Sequence, residues 1–409
     1  MKDVEQRRHY AEKCDSVIKG VVVGVYAKKG DRQPKMTPSG EKFDDRVQGK
    51  ITDLIRETGL SGPWMNVDAE FRAVAVVGVG QEGAGFNDLE MIDEGMENAR
   101  VAAGVGARAL QLQGCTDVFV ESMEYAEQAA EGSALAVWRY NTNKRTHFQT
   151  GANLARRPTP TIFAQSAVDA LCPCGVSVEV HSMDWIESKS LNSFLMVAKG
   201  SCEPPIILEI AYCGTAPEDK PILLLGKGIT FNSGGLCLRP KDCLSMYRGC
   251  MSGAAACVGV IRAAAGLSLP LNITALLPLC ENMPSGMAAK PGDVVSLLNA
   301  KTLGFVDVSK AGVMAMADPL LYAQTIYKPR MVVDIATVGY AVCSALGGAA
   351  AGIFSNSNFV YKQFEKAGAL TGDRVWRLPL WRYFKELIMP NETFEISRLF
   401  YFSSLLRKY

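Results

Sequence analysis

Apolar positions along this chain fall into short β-branched and aliphatic runs separated by longer stretches with helical spacing. In the first third, Val21–Tyr26, Ala73–Val79 and Val118–Glu121 read as strands. Between and after them, Glu90–Leu112 and Glu124–Trp138 are rich in Ala and Glu at helical spacing and read as helices. Residues 141–160 are polar, basic and proline-bearing, which is linker composition. Beyond the linker, runs at Ile206–Ala211, Ile222–Leu225, Ile273–Leu277 and Met331–Ile335 alternate with helical patterns over Met246–Ala265 and Met314–Ile326. Strand–helix alternation predicts α/β architecture, with a mostly parallel sheet covered by helices.

Length and composition narrow the class. A chain of 409 residues exceeds one compact core and suits two or three domains. Its 48% hydrophobic and 21% charged residues are ordinary for a globular protein and exclude a disordered, collagen-like or coiled-coil chain. The net charge of +1 leaves no basic stripe to replace phosphate counterions, so no nucleic-acid partner is expected. The longest apolar runs, such as Ala341–Phe354, fall short of a bilayer span, and MKDVEQRRHY lacks the apolar core of a secretory signal. A cytoplasmic protein with no membrane partner is the expectation.

Candidate chemistry begins with exclusions. Twelve cysteines in so long a chain do not make a disulfide framework, and most are expected to be reduced, buried small hydrophobes. The tight pair Cys172 and Cys174 has no matching second pair, and His9, His147 and His181 lie in no zinc-ligand spacing. Gly78-Val-Gly80-Gln-Glu-Gly83 has the letters of a dinucleotide fingerprint. The acids about twenty residues on, Glu94 and Glu97, fall inside a helical pattern, so a tight strand-exit turn is the better reading.

Leu223–Pro379 is different in kind. It contains GKGITFNSGG, CENMPSG, KPGDVV and GDRVWRLPL in that order. These phrases closely resemble the leucyl aminopeptidases, the two-metal cytosol aminopeptidases, and the similarity covers nearly the whole chain to about Met389. The resemblance implies an N-terminal α/β domain over 1–140, the linker 141–160, an aminopeptidase-type α/β domain over 161–389 truncated at its end, and a divergent tail over 390–409. It also implies a hexamer of two stacked trimers.

Enzymes of that family hold two divalent ions (zinc, manganese or magnesium) that polarise the peptide carbonyl and share a hydroxide. Four carboxylates and a lysine hold the ions, and a lysine and an arginine complete the site. Carried across by phrase, the ligand lysine is retained as Lys227. The other ligand positions hold Asn232, Cys250, Ser309 and Ala311, and the two catalytic positions hold Arg239 and Val313. Neutral ligands cannot balance four positive charges, so no bound metal is expected. Asp307 and Asp242 are the nearby acids that could substitute, although solvated loop positions are the plainer reading. Glu281, Asp293 and Asp334 fall in phrases of structural role.

Three functions are open at this point. One is a catalytically inactive protein whose fold serves assembly or binding, as homo-oligomer or with related chains; some sperm-abundant insect members resemble this pattern. A second is a metal-dependent aminopeptidase removing N-terminal residues from peptides with an unusual metal set. A third, a thiol enzyme using Cys250, lacks a histidine nearby in sequence. The connection between Tyr140 and Phe163 is shorter than in the family, and the altered closing segment is expected to expose apolar surface unless a partner covers it.

Overall fold

The computed structural model describes residues 17–27, 35–58, 63–65, 67–138 and 159–384. They fall into two compact units, one within Met1–Tyr140 and Gly348–Pro379, the other within Asn141–Gly347 and Leu380–Tyr409. Most of the predicted linker and all of the predicted tail lie outside the described residues.

The first unit is built on β1 (Lys19–Val25), β2 (Pro63–Met65) and β3 (Ala73–Gly78), with β6 (Asp117–Val120) on the far side of β1. Their order is β2-β3-β1-β6, and β1 pairs parallel with both β3 and β6. Alternation at period two sends neighbouring side chains to opposite faces. Val22, Ala75 and Val77 pack under the helix Glu94–Leu112, whereas Val23, Val74 and Val76 pack against Ile51 and Ile55 of the helix Lys50–Thr58.

The GxGxxG segment makes no dinucleotide loop. After Gly83 the chain runs through the two-residue strands β4 (Phe86–Asn87) and β5 (Ile92–Asp93), and the helix begins only at Glu94, capped by Asp93. That start is four positions later than the periodicity predicts, because Asp93 accepts from the Met96 N–H and so sets the first turn. Glu94 and Glu97 lie inside the helix. The helix Ala126–Val137 crosses it so closely at Gly132 that an added Cβ there would sit 1.9 Å from the Arg100 carbonyl oxygen. The late strands β15 (Ala351–Ile353) and β16 (Val375–Arg377) pair parallel, and Arg100 donates to the Leu370 carbonyl at 3.0 Å. This late segment belongs to the first unit.

The second unit carries the larger sheet: β7 (Ser177–His181), β8 (Ile206–Cys213), β9 (Ile222–Gly226), β10 (Gly228–Asn232), β11 (Asn272–Asn282) and β14 (Met331–Ile335). Its order is β14-β9-β11-β8-β7, with β10 also on β11. The β14–β9, β9–β11 and β10–β11 pairs are parallel; β11–β8 and β8–β7 are antiparallel. A short antiparallel pair, β12 (Val294–Ser296) and β13 (Thr302–Gly304), lies apart. The sheet separates two apolar clusters. Leu223, Leu225 and Leu276 face Phe194 and Phe305, and Leu224, Ala275 and Leu277 face Ile261 of the helix Ser252–Gly266.

Two predicted helices are split. Over Met246–Ala265 the first part is 3-10, Lys241–Met251, and only Ser252–Gly266 is α. Gly249 and Gly253 bracket that junction, where helix propensity is low. The pattern over Met314–Ile326 resolves into Ala311–Met314 and Ala317–Tyr327. Pro319 has no N–H to offer the Ala315 carbonyl, which ends the continuous ladder there. Lys241–Gly266 as a whole is long and apolar enough by length and composition to cross a membrane, yet Ala254, Cys257, Ile261 and Ala264 are core residues of this unit.

The cysteines correct an expectation. Of the eleven described, all free, only Cys115, Cys250, Cys257 and Cys280 are buried, and Cys172, Cys174, Cys202, Cys213 and Cys343 are exposed. Cys202 lies in a connection, Cys213 at the end of β8, and Cys172, Cys174 and Cys343 in helices of three and six residues, where no core surrounds them.

Candidate functional site

Lys227 sits between two strands that share one partner. The chain leaves β9, which pairs with Ile273–Leu276, and after one residue re-enters as β10, which pairs further along β11 with Leu279–Asn282. Lys227 occupies that step, with its N–H on the Ile335 carbonyl at 3.0 Å and its carbonyl accepting from Ala254 at 3.0 Å. Both neighbours are glycine for a steric reason. A Cβ on Gly226 would lie 2.7 Å from Ala254 Cα, and one on Gly228 would lie 2.6 Å from the Pro278 oxygen. The backbone therefore delivers the Lys227 side chain to the carboxyl end of the sheet, where Asn232 ends β10.

The residues predicted from the phrases do come together there. Lys227 is 3% exposed, Asn232 2%, Ser309 6%, Cys250 7%, and Ala311 is fully covered. Lys227 Nζ donates to the Thr337 carbonyl and to Cys250 Sγ at 3.5 Å. Burial pushes the Lys227 ammonium below its ordinary pKa, opposed by Cys250 and reinforced by Arg239. No carboxylate among the described residues pairs with it.

Asn232 is held from both ends. Its Oδ1 accepts from Gly234 N at 3.0 Å and from Asn282 Nδ2 at 2.8 Å. Its Nδ2 therefore points inward, donating to the Ser309 carbonyl at 3.1 Å and to Cys250 Sγ at 3.6 Å. Asn282 Nδ2 also reaches the Val308 carbonyl at 2.9 Å. Arg239 Nη2 gives the Ser309 carbonyl a second donor at 2.7 Å, and its guanidinium lies 4.5 Å from the Tyr247 ring. Tyr247 in turn meets Tyr340 edge-on. Ala311 is packed into the apolar cluster, and Val313 beside it is half-buried.

The neighbouring acids do not fill the gap. Asp307 caps Ser309 N at 2.9 Å and pairs with Lys310 at 3.5 Å. Burial opposes its charge, but hydrogen bonds from Ser309 and the Lys310 ammonium outweigh that and hold its carboxyl below the usual range. Asp242 is exposed at the start of the 3-10 segment. Glu281 accepts from Ser201 at 2.6 Å, Asp293 closes a turn on Lys290 N at 2.9 Å, and Asp334 lies in β14 opposite Leu225.

Asn282, Tyr247 and the Thr337 carbonyl are members that sequence reasoning did not single out. Asn282 stands inside the phrase CENMPSG, and its pairing with Asn232 depends on two parallel strands ending together.

The chemistry of this donor set is decisive for metal binding. A hard divalent ion needs oxygen or nitrogen lone pairs and compensating negative charge. The groups here present an amide N–H, a lysine amine spent on the Thr337 carbonyl, a guanidinium, a hydroxyl, a methyl and one thiol, none of them a carboxylate, and the Ser309 carbonyl is already taken by two donors. The residues do not fit a pair of divalent ions. As a thiol site it is equally poor, because Cys250 meets Lys227 and Asn232 and, among the described residues, no histidine.

Comparison with known proteins gives a consistent result. Residues 149–397 match the catalytic domain of the cytosol aminopeptidase family, and residues 22–147 match its N-terminal domain. The match thus runs past Met389, where the resemblance was expected to stop, and takes in part of the segment expected to be a divergent tail. The chain is 37% identical to a cytosol aminopeptidase of Xenopus tropicalis, covering 94% of this chain and 82% of that protein. For that of Homo sapiens the values are 36%, 94% and 81%. Among solved structures, a bottromycin maturation enzyme in complex with Mn superposes with a TM-score of 0.72 at 25% identity, covering 96% of this chain and 89% of that one. A tomato leucine aminopeptidase variant at 19% identity, covering 93% and 82%, gives 0.74 and attests the fold.

Proposed function

The chain belongs to the cytosol aminopeptidase family, and we propose that it is a member without peptidase activity, whose fold serves assembly or binding. One observation carries the reading: Asn232 turns its amide N–H to the Ser309 carbonyl and to Cys250, so the ligand positions satisfy one another. A water-derived nucleophile needs a metal or a general base to lower its pKa. The described site offers no carboxylate or histidine for either role, since the four family carboxylates are all replaced. The relatives' name supports a cytosolic location, and peptides are substrates only if this reading fails.

The test is hydrolysis of leucyl amides by the purified chain in zinc, manganese or magnesium, with Asn232→Asp assayed alongside. Both proteins are expected to match the enzyme-free blank, because residues that act as a unit are not restored singly. Metal-dependent turnover by the unaltered chain overturns the proposal.

A further inference from the structure

A different set of ligand groups lies at the edge of the larger sheet. Glu179 and His181 stand two positions apart on β7, so they share a face, and Glu209 on β8 is directly opposite Glu179. The ligand atoms of the three side chains all lie within 4.8 Å of one another. His181 Nε2 is 3.1 Å from Glu209 Oε2 and 3.7 Å from Glu179 Oε2.

Two further features make this more than an ion pair on a strand edge. The His181 ring is stacked flat on Trp185, with centroids 3.8 Å apart and planes within 7°, and Trp185 is held edge-on by Tyr322. The stack fixes the imidazole plane so that Nε2 faces both carboxylates, and the His181 side chain is only 13% exposed. Second, Glu179 and Glu209 oppose each other across an antiparallel ladder, where like charges destabilise unless something neutralises them. Their field reaches Tyr322, whose hydroxyl is pushed up by burial and then by Glu209 and Glu179. The Lys189 ammonium lies 5.7 Å from the Trp185 ring centre.

We propose that Glu179, His181 and Glu209 bind one transition-metal dication, zinc by preference, at the β7 edge of the sheet. One imidazole nitrogen and two carboxylate oxygens are a three-ligand zinc set, with water for the fourth position. Tetrahedral bonds of about 2.1 Å place ligand atoms about 3.4 Å apart, close to the spacing already present. The imidazole favours zinc, copper or nickel over magnesium or calcium. Two carboxylates match the double charge, which the Lys227 site cannot do. The bound ion clamps the edge strand β7 to β8.

Calorimetric titration of the full chain with zinc chloride tests this, after the exposed thiols are capped with N-ethylmaleimide. One zinc per chain is expected, weakened at least tenfold by His181→Gln and by Glu209→Gln. Cobalt substitution should give visible ligand-field bands without a thiolate charge-transfer band, and copper should quench Trp185 fluorescence. Glu179→Gln, at an exposed position, gives a variant whose folding is not at issue. Absence of zinc binding, or binding untouched by all three substitutions, overturns the proposal. Zinc lost with Ser309→Ala but kept in His181→Gln would place the ion at the Lys227 site and overturn it as well.

Discussion

At Asn232 one atom decides what the site can hold. Where a carboxylate offers two acceptors, the amide offers one, and that one is spent on Gly234 and Asn282. The nitrogen becomes a donor aimed at the Ser309 carbonyl, so the position repels a cation instead of binding it. Ala311 shows the same loss by volume. It is fully covered within a cluster that contains Ile229, Cys250 and Val308. Ala311→Glu therefore overpacks the core and buries a carboxylate, at about 3 kcal/mol or more of folding stability. Urea unfolding measures this; a variant as stable as the parent would show that the site opens more readily than its packing implies.

Among the elements, β6 is followed at once by an acid, Glu121, with a load to carry. Glu121 accepts from Gly24 N at the end of β1, and from Thr37 Oγ1 at 2.6 Å, where Thr37 caps the helix Pro38–Arg46. Its second oxygen is buried without a partner among the described residues. Burial raises the Glu121 pKa, and the bonds from Thr37 and Gly24 pull the other way without cancelling it. A carboxyl whose folded pKa is raised binds its proton more tightly in the native state. Its contribution is complete below the ordinary carboxylate range and falls away as pH rises through the raised value. Glu121→Gln keeps the accepting oxygen and removes the charge. It should raise stability by about 1 kcal/mol at pH 7 and by nothing near pH 4. Thermal melts at the two pH values decide it, and an equal effect at both would refute the charge as cause.

For the whole molecule the question is association. Val101, Val105 and Leu112 lie exposed along one side of the helix Glu94–Leu112, and Leu238, Met246 and Leu267 are exposed in the second unit. Large uncovered apolar residues in clusters mark surfaces that meet a partner. With a net charge of +1, little self-repulsion opposes packing. We expect an oligomer, hexameric or mixed with a related chain. Light scattering coupled to size exclusion should give a mass several times that of one chain. A well-folded monomer at micromolar concentration would remove the main support for an assembly role.

The sequence by itself determined the family, the α/β class and the identity of the residues at the carboxyl end of the larger sheet. Long phrases such as GKGITF and CENMPSG fix strand ends, glycine contacts and the place of Lys227 through local geometry that neighbouring residues specify. Short apolar runs located β8, β9, β11 and β14 of the larger sheet, because burial leaves a continuous β-branched or aliphatic signature, but not β7, an edge strand with exposed polar positions, or β10, which follows β9 after one residue. Periodicity was weaker where a residue acts through a distant partner. It did not show that Asp93 delays a helix, that Pro319 divides one, or that β8 runs antiparallel to both of its neighbours, β11 and β7. Nor did it bring His181 to Glu209, or Asn282 to Asn232, since each pair depends on how two strands, 28 and 50 residues apart at the contact, are set in register. Which residues are present is local information; which donors are already spent depends on contacts that only the folded chain creates.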